Sequence, residues 1–243
     1  MSKIYEALKR AEQERDRARG PSEIPPLPAE NGGADGGSPG TREEYQRLRA
    51  GLLSITVPAG LHTVLVTAPN HGEGTTTVAI GLANALGRER EARVLLLEGN
   101  VRTPSLRHHL PLPGDAGVAD FIAGRAAPEA LLTRLERQNF SVIHAGARPE
   151  PGAEIDLLGG LLTRLRPQFD FIVIDGPPVN RYADVSVLAP TVDGVILVVE
   201  ADRTPLADAE TATRELGKVG ARVLGVVLNR RRSYIPAFLE NLL

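Results

Sequence analysis

The chain contains no cysteine, so neither a disulfide framework nor a thiol nucleophile enters its chemistry. No apolar run approaches the roughly 20 residues that a membrane-spanning helix needs, and any membrane role is expected to run through a partner. An excess of one charge is also missing: 28 Lys+Arg against 30 Asp+Glu leave a formal net charge of -2. That balance argues against a chain-wide nucleic-acid surface. The opening residues, Met1-Ser-Lys-Ile-Tyr-Glu6, include an acid and lack the apolar centre of a secretory leader, so the expectation is a cytoplasmic protein. One further absence matters more than these: a lysine is missing from a loop built to hold phosphate.

What is present suits one globular core with an appendage. The 243 residues are 42% apolar and 24% charged, ordinary values for a soluble domain. Residues 1–19 read as a short charged helix with Ser2 as N-cap, because Ile4, Leu8 and Ala11 fall at helical spacing among Lys, Arg and Glu. Residues 20–40, GPSEIPPLPAENGGADGGSPG, are rich in Pro and Gly and read as a flexible linker. The folded domain is expected over residues 41–243.

Within it, short β-branched runs alternate with amphipathic segments. Strands are expected over His62–Thr67, Arg93–Glu98, Phe140–His144, Phe169–Asp175, Val192–Glu200 and Arg222–Asn229. Helices are expected over Thr75–Gly87, Ala127–Arg137, Ile155–Arg166, Ala183–Ala189 and Pro205–Val219. Runs such as Phe171-Ile-Val-Ile are apolar on both faces, as strands of a helix-covered parallel sheet must be. The fold class is therefore α/β: a doubly wound, mostly parallel sheet with helices on both faces. Ligands of such sheets sit at the carboxyl ends of strands, which directs attention to three of them.

The first strand end reads Ala68-Pro-Asn-His-Gly-Glu-Gly-Thr-Thr-Thr77. Glycines between a strand and a helix let successive N–H groups curl around a polyphosphate, a lysine bridges the β/γ oxygens, and Ser/Thr holds Mg²⁺. Gly72, Gly74 and Thr76 keep the cradle, but Thr75 occupies the lysine position. The second end reads Val94-Leu-Leu-Leu-Glu-Gly-Asn-Val-Arg-Thr-Pro-Ser105, and the third Phe171-Ile-Val-Ile-Asp-Gly-Pro-Pro178.

In this order and spacing, the three motifs resemble those of the bacterial P-loop tyrosine autokinases of capsule and exopolysaccharide biosynthesis, relatives of the ParA/MinD ATPases. HGEGTTT stands for a PGEGKST loop, LLLEGNVRTPS for an apolar run with DADLR and PS, and FIVIDGPP for an apolar run with DTPP. The resemblance implies a P-loop NTPase fold and ATP or ADP with Mg²⁺ as cofactor. It implies nucleotide contacts at Gly72, Glu73, Gly74, Thr75, Thr76, Thr77 and Asn229. Thr76 and Asp175 are implied on the metal, with Asn100 reaching it through water. Glu98 is implied as base for a tyrosine hydroxyl, beside Asp175, and Arg102 or His71 as a substitute cation. The adjacent His108 and His109 point to different faces of any helix and do not suggest a metal pair.

Departures from the pattern set the functional expectation. Phosphoryl transfer is almost wholly positioning and electrostatics, so losing the bridging cation costs about 2–4 kcal/mol in the transition state, some two to three orders of magnitude in rate. Asn100 replaces a second acid and cannot act as a base. Only Tyr234 stands where a tyrosine-rich tail is usual, as the phosphoacceptor to be considered. The self-association helix offers Glu43, Gln46 and Arg49 in place of Glu-x-x-Arg-x-x-Arg, which weakens an implied homo-oligomer. The expectation is an impaired pseudokinase serving as adaptor to the cytoplasmic tail of a membrane polysaccharide chain-length regulator or co-polymerase, held by that partner at the inner face of the membrane. An active autokinase and a ParA/MinD-like positioning ATPase are the alternatives.

Overall fold

The computed structural model describes residues 39–55, 60–88, 92–135, 138–146 and 157–231. The charged helix expected over 1–19, most of the 20–40 linker and Tyr234 lie outside the described residues. Seven strands, β1 (Thr63–Thr67), β2 (Val94–Glu98), β3 (Thr133–Leu135), β4 (Phe140–Ile143), β5 (Phe171–Asp175), β6 (Gly194–Glu200) and β7 (Val223–Asn229), form one sheet. Their order is β3-β4-β2-β5-β1-β6-β7. All neighbours pair in parallel except the antiparallel edge pair β3 and β4.

Among the described residues seven α-helices accompany them: α1 (Pro39–Ser54), α2 (Thr75–Gly87), α3 (Leu106–His109), α4 (Val118–Ile122), α5 (Leu157–Leu165), α6 (Asp184–Leu188) and α7 (Leu206–Lys218). Successive strand residues point to opposite faces, and both sets are buried here. Leu65, Leu95, Leu97, Ile172, Ile174 and Leu197 pack against α5, α6 and α7 through Leu158, Leu162, Leu188 and Leu216. Val64, Val66, Leu96, Val173, Ile196 and Val198 face Leu82 and Leu86 of α2, with Leu52 of α1 behind them. Coverage on both sides is what makes the strand sequences continuously apolar.

The doubly wound expectation holds in strand number and direction, apart from one segment. Within the segment 127–137, expected as a helix, the described residues 127–135 instead make a 3-10 turn over Pro128–Leu131 followed by strand β3. Leu131 and Leu135 are both buried, and their spacing satisfies a helical period as well as an alternating one. Pairing decides between them: Leu135 sits opposite Phe140 and Thr133 opposite Val142, and Asn139 takes a left-handed φ of 59° in the reversal. The pairing satisfies backbone groups that an isolated helix of this length would hold only marginally.

Helix α1 docks on the phosphate-loop helix. The Tyr45 ring lies where a Cβ at Gly81 would come within 2.1 Å of it, and its hydroxyl donates to the Thr77 carbonyl at 3.2 Å. Burial pushes the Tyr45 phenol up to about 12.

Candidate nucleotide site

Strands β1, β2 and β5 lie side by side and end at the same level: Val66 pairs with Asp175, and Asp175 with Glu98. The three loops leaving them form the cleft. After β1 the chain turns through Gly72 and Gly74 with φ of 88° and 91°, a conformation that costs other residues strain. Gly74 is also needed for space, because a Cβ there would stand 2.0 Å from Asn229 Nδ2. Helix α2 begins directly afterwards, so its unsatisfied N–H groups face the loop. The cradle read from Gly72 to Thr77 is present as backbone geometry.

Neighbouring side chains brace that cradle. Asn229 Nδ2 donates to the Glu73 carbonyl at 2.8 Å, while its Oδ1 accepts the Arg230 N–H at 3.0 Å. The amide expected against a nucleotide base therefore spends both ends on the protein. Arg230, in a left-handed conformation with φ 56°, donates from Nη1 to the Gly72 carbonyl at 2.9 Å and to Glu200 at 3.0 Å. Asn70 bridges Glu73 Oε1 at 3.3 Å and Asp208 at 2.8 Å. None of these braces supplies the missing ammonium. Thr75, half-buried, offers only a neutral hydroxyl, and His71 is exposed.

The acids behave differently from one another. Glu98 is 1% exposed; its Oε1 accepts the Ser105 and Leu106 N–H groups at 2.5 and 2.8 Å. Its Oε2 accepts the Ala145 N–H at 2.7 Å. The extra methylene relative to aspartate gives this carboxylate the reach to tie three loop amides together. The base role expected for Glu98 is at odds with these bonds, since both oxygens already hold backbone donors in the interior. Asn100 is turned into its own loop: Oδ1 accepts the Thr103 N–H at 3.2 Å, and Nδ2 meets the Thr103 hydroxyl at 2.9 Å. Arg102 pairs with neither cleft acid. It grips Asp184 at the start of α6, Nε to Oδ2 at 2.5 Å and Nη2 to Oδ1 at 3.0 Å, with its guanidinium 5.5 Å from the Tyr182 ring centre.

Asp175 is the acid left over. It is 1% exposed, lies near enough to the Thr76 side chain for that hydroxyl to favour its charged form, and keeps a buried Oδ2 with no hydrogen-bond partner. Burial first, and the charge of Glu98 second, push its carboxyl up to about 7. A buried anionic oxygen without a partner is costly in the ligand-free protein, and a hard cation relieves it. No group of three or more His, Asp or Glu among the described residues is placed to hold a metal. Any cation here therefore relies on hydroxyls, water and phosphate, which is the habit of Mg²⁺. Thr76 and Asp175 fit that role.

A pH prediction follows from this orphaned acid. Its folded value lies above the unfolded one, so the native state binds the extra proton. The stabilisation is complete below about pH 4 and is lost as pH rises through about 7. Glu73, pushed up to about 7 chiefly by burial, acts in the same direction. Ligand-free protein should melt higher at pH 6.5 than at pH 8, and Asp175→Asn should shrink that difference while raising the melting temperature at pH 8. Thermal denaturation at both pH values checks it; identical pH dependence in the variant would refute it.

Comparisons with known proteins agree with this fold, although no family model matches the chain. The chain is 30% identical over 174 residues to the tyrosine-protein kinase CpsD of Streptococcus pneumoniae, covering 70% of this chain and 76% of that one. It belongs to the bacterial tyrosine-protein kinase family. Among solved structures, the VpsO kinase domain superposes with a TM-score of 0.68 at 30% identity, covering 77% of this chain and 93% of that one. The septum site-determining protein MinD of Pyrococcus horikoshii, solved with Mg-ADP, gives a TM-score of 0.63 at 26% identity, with 74% and 76% covered. The fold is that of P-loop NTPases.

For this tyrosine-kinase family member, the structure sets Thr76 beside Ser105 and Glu98 beside Asp175, and turns Asn100, Arg102 and Asn229 to structural partners. Sequence reasoning assigned no site role to Arg230, Ser105 or Asp184. Their roles depend on loops converging from three strands, and only the Arg-x-Pro-Ser pattern around Ser105 hinted at any of them. On α1, Glu43 pairs with Arg47 at 2.6 Å, while Gln46 and Arg49 are half-buried. The first pair is exposed and contributes little by itself. No helix among the described residues is long and apolar enough to cross a membrane.

Proposed function

We propose that this protein is a catalytically impaired tyrosine-kinase homologue that binds ATP or ADP with Mg²⁺ weakly. Its role is that of regulator or adaptor in a membrane complex for exopolysaccharide or capsule synthesis. One observation carries the reading: the phosphate cradle is intact and braced, yet Thr75 stands at the lysine position. Gly72 to Thr77 would hold the phosphates, and Thr76 with Asp175 would hold Mg²⁺. The bound metal supplies charge neutralisation of the phosphates, while the protein's own groups supply the cradle, the α2 N-terminus and a water-poor floor. With Glu98 committed to three amides, the carboxylate of the second motif is not free to take a proton from a tyrosine hydroxyl.

Binding without turnover fits an adaptor whose shape reports nucleotide. The partner we propose is the cytoplasmic tail of a membrane polysaccharide chain-length regulator, with α1 or the preceding segment as the contact. Calorimetric titration with ATP·Mg²⁺ and phosphotyrosine immunoblotting, each with and without the partner tail, test this together. Measurable binding with no phosphotyrosine is the expected result. Partner-stimulated tyrosine labelling by the unaltered protein would establish an active kinase instead.

A further inference from the structure

Ser105 closes the loop that leaves β2, and its hydroxyl lies 2.7 Å from the Thr76 hydroxyl. Around an octahedral Mg²⁺ with oxygens at 2.0–2.1 Å, adjacent ligands stand roughly 2.9 Å apart. The two hydroxyls are thus already spaced like neighbouring ligands of one small ion. The Thr76 side chain is also near enough to favour the charged form of Asp175, whose Oδ2 is buried and without a partner. The two hydroxyls thus stand together near the orphaned Asp175 carboxylate.

The position of Ser105 is fixed. Its N–H and that of Leu106 are held by Glu98 Oε1 at 2.5 and 2.8 Å, and the other Glu98 oxygen anchors to Ala145 at 2.7 Å beyond β4. Asn100, at the place of the second acid, spends both ends of its amide on Thr103. We infer that Ser105 is a ligand of the divalent cation, its hydroxyl and that of Thr76 taking adjacent positions and replacing whatever contact Asn100 would make. Glu98 is then a positioning residue that carries Ser105 to the ion. This inference rests on the reading above that the cleft takes a metal nucleotide.

Mn²⁺ serves as the probe, its unbound fraction followed by electron paramagnetic resonance in full-length protein saturated with ADP. Ser105→Ala should weaken Mn²⁺ binding about 5- to 20-fold, the range of one lost neutral ligand, and Ser105→Thr should retain it within about 3-fold. Ser105→Ala keeps the backbone N–H that Glu98 holds, and its circular dichroism melt reports whether the fold is intact. Unchanged Mn²⁺ affinity in Ser105→Ala overturns the inference and leaves the nucleotide site standing. Wild-type protein that binds neither ADP nor Mn²⁺ overturns the proposed function itself.

Discussion

Thr75→Lys combined with Asn100→Asp is expected to raise affinity for ATP·Mg²⁺ by about 10- to 100-fold. A hydrogen bond to a charged group contributes about 1.5–3 kcal/mol, and each 1.4 kcal/mol is tenfold in affinity. The loop already has the backbone shape to use the ammonium, with Gly72 and Gly74 left-handed and Asn229 and Arg230 holding the Glu73 and Gly72 carbonyls. Aspartate at 100 keeps the acceptor that takes the Thr103 N–H, so the second loop should retain its turn. Titration calorimetry of the double variant checks the gain, and no increase over wild type would count against the reading of Thr75 as the missing charge. Tyrosine labelling should stay low even so, because Glu98 remains tied to the amides of Ser105, Leu106 and Ala145.

Glu98→Gln is expected to be among the most damaging single substitutions in the domain. Its amide can still accept the Ser105 and Leu106 N–H groups, but an NH₂ then faces the Ala145 N–H, donor against donor, at a site 1% exposed. Leaving buried polar groups unsatisfied costs about 2–4 kcal/mol in such a network. For a domain of this size that is roughly 6–12 °C in melting temperature. Glu98→Asp withdraws the carboxylate by about one bond length, ~1.5 Å, and should fall between wild type and Gln. A melting temperature of the Gln variant within about 2 °C of wild type would show that the carboxylate is not the anchor described here.

Much of this was legible in the chain itself. The alternating apolar segments gave six strands and most of the larger helices, because a parallel sheet covered on both faces demands continuous β-branched runs, as in Phe171-Ile-Val-Ile and Val195-Ile-Leu-Val-Val. The cradle was readable because glycine is the residue that accepts φ near 90° at little cost. The segment 127–137 misled, since the Leu131 and Leu135 spacing serves two periods and only the partner strand β4 chooses between them. The short helices α3 and α4 carry too few residues for any period to show.

The sequence by itself determined the fold class, the family and the missing cation, since each rests on local spacing: glycines beside a strand, an acid at a strand end, threonine where lysine belongs. Tertiary structure alone decided what each polar group does. Glu98 became an anchor, Arg102 a partner of Asp184, and Arg230 a brace for Gly72, while Asp175 kept an unpartnered buried oxygen. A side chain's role in a cleft depends on which donors stand within about 3 Å of it. Here those donors arrive from strands up to 158 residues apart in the chain.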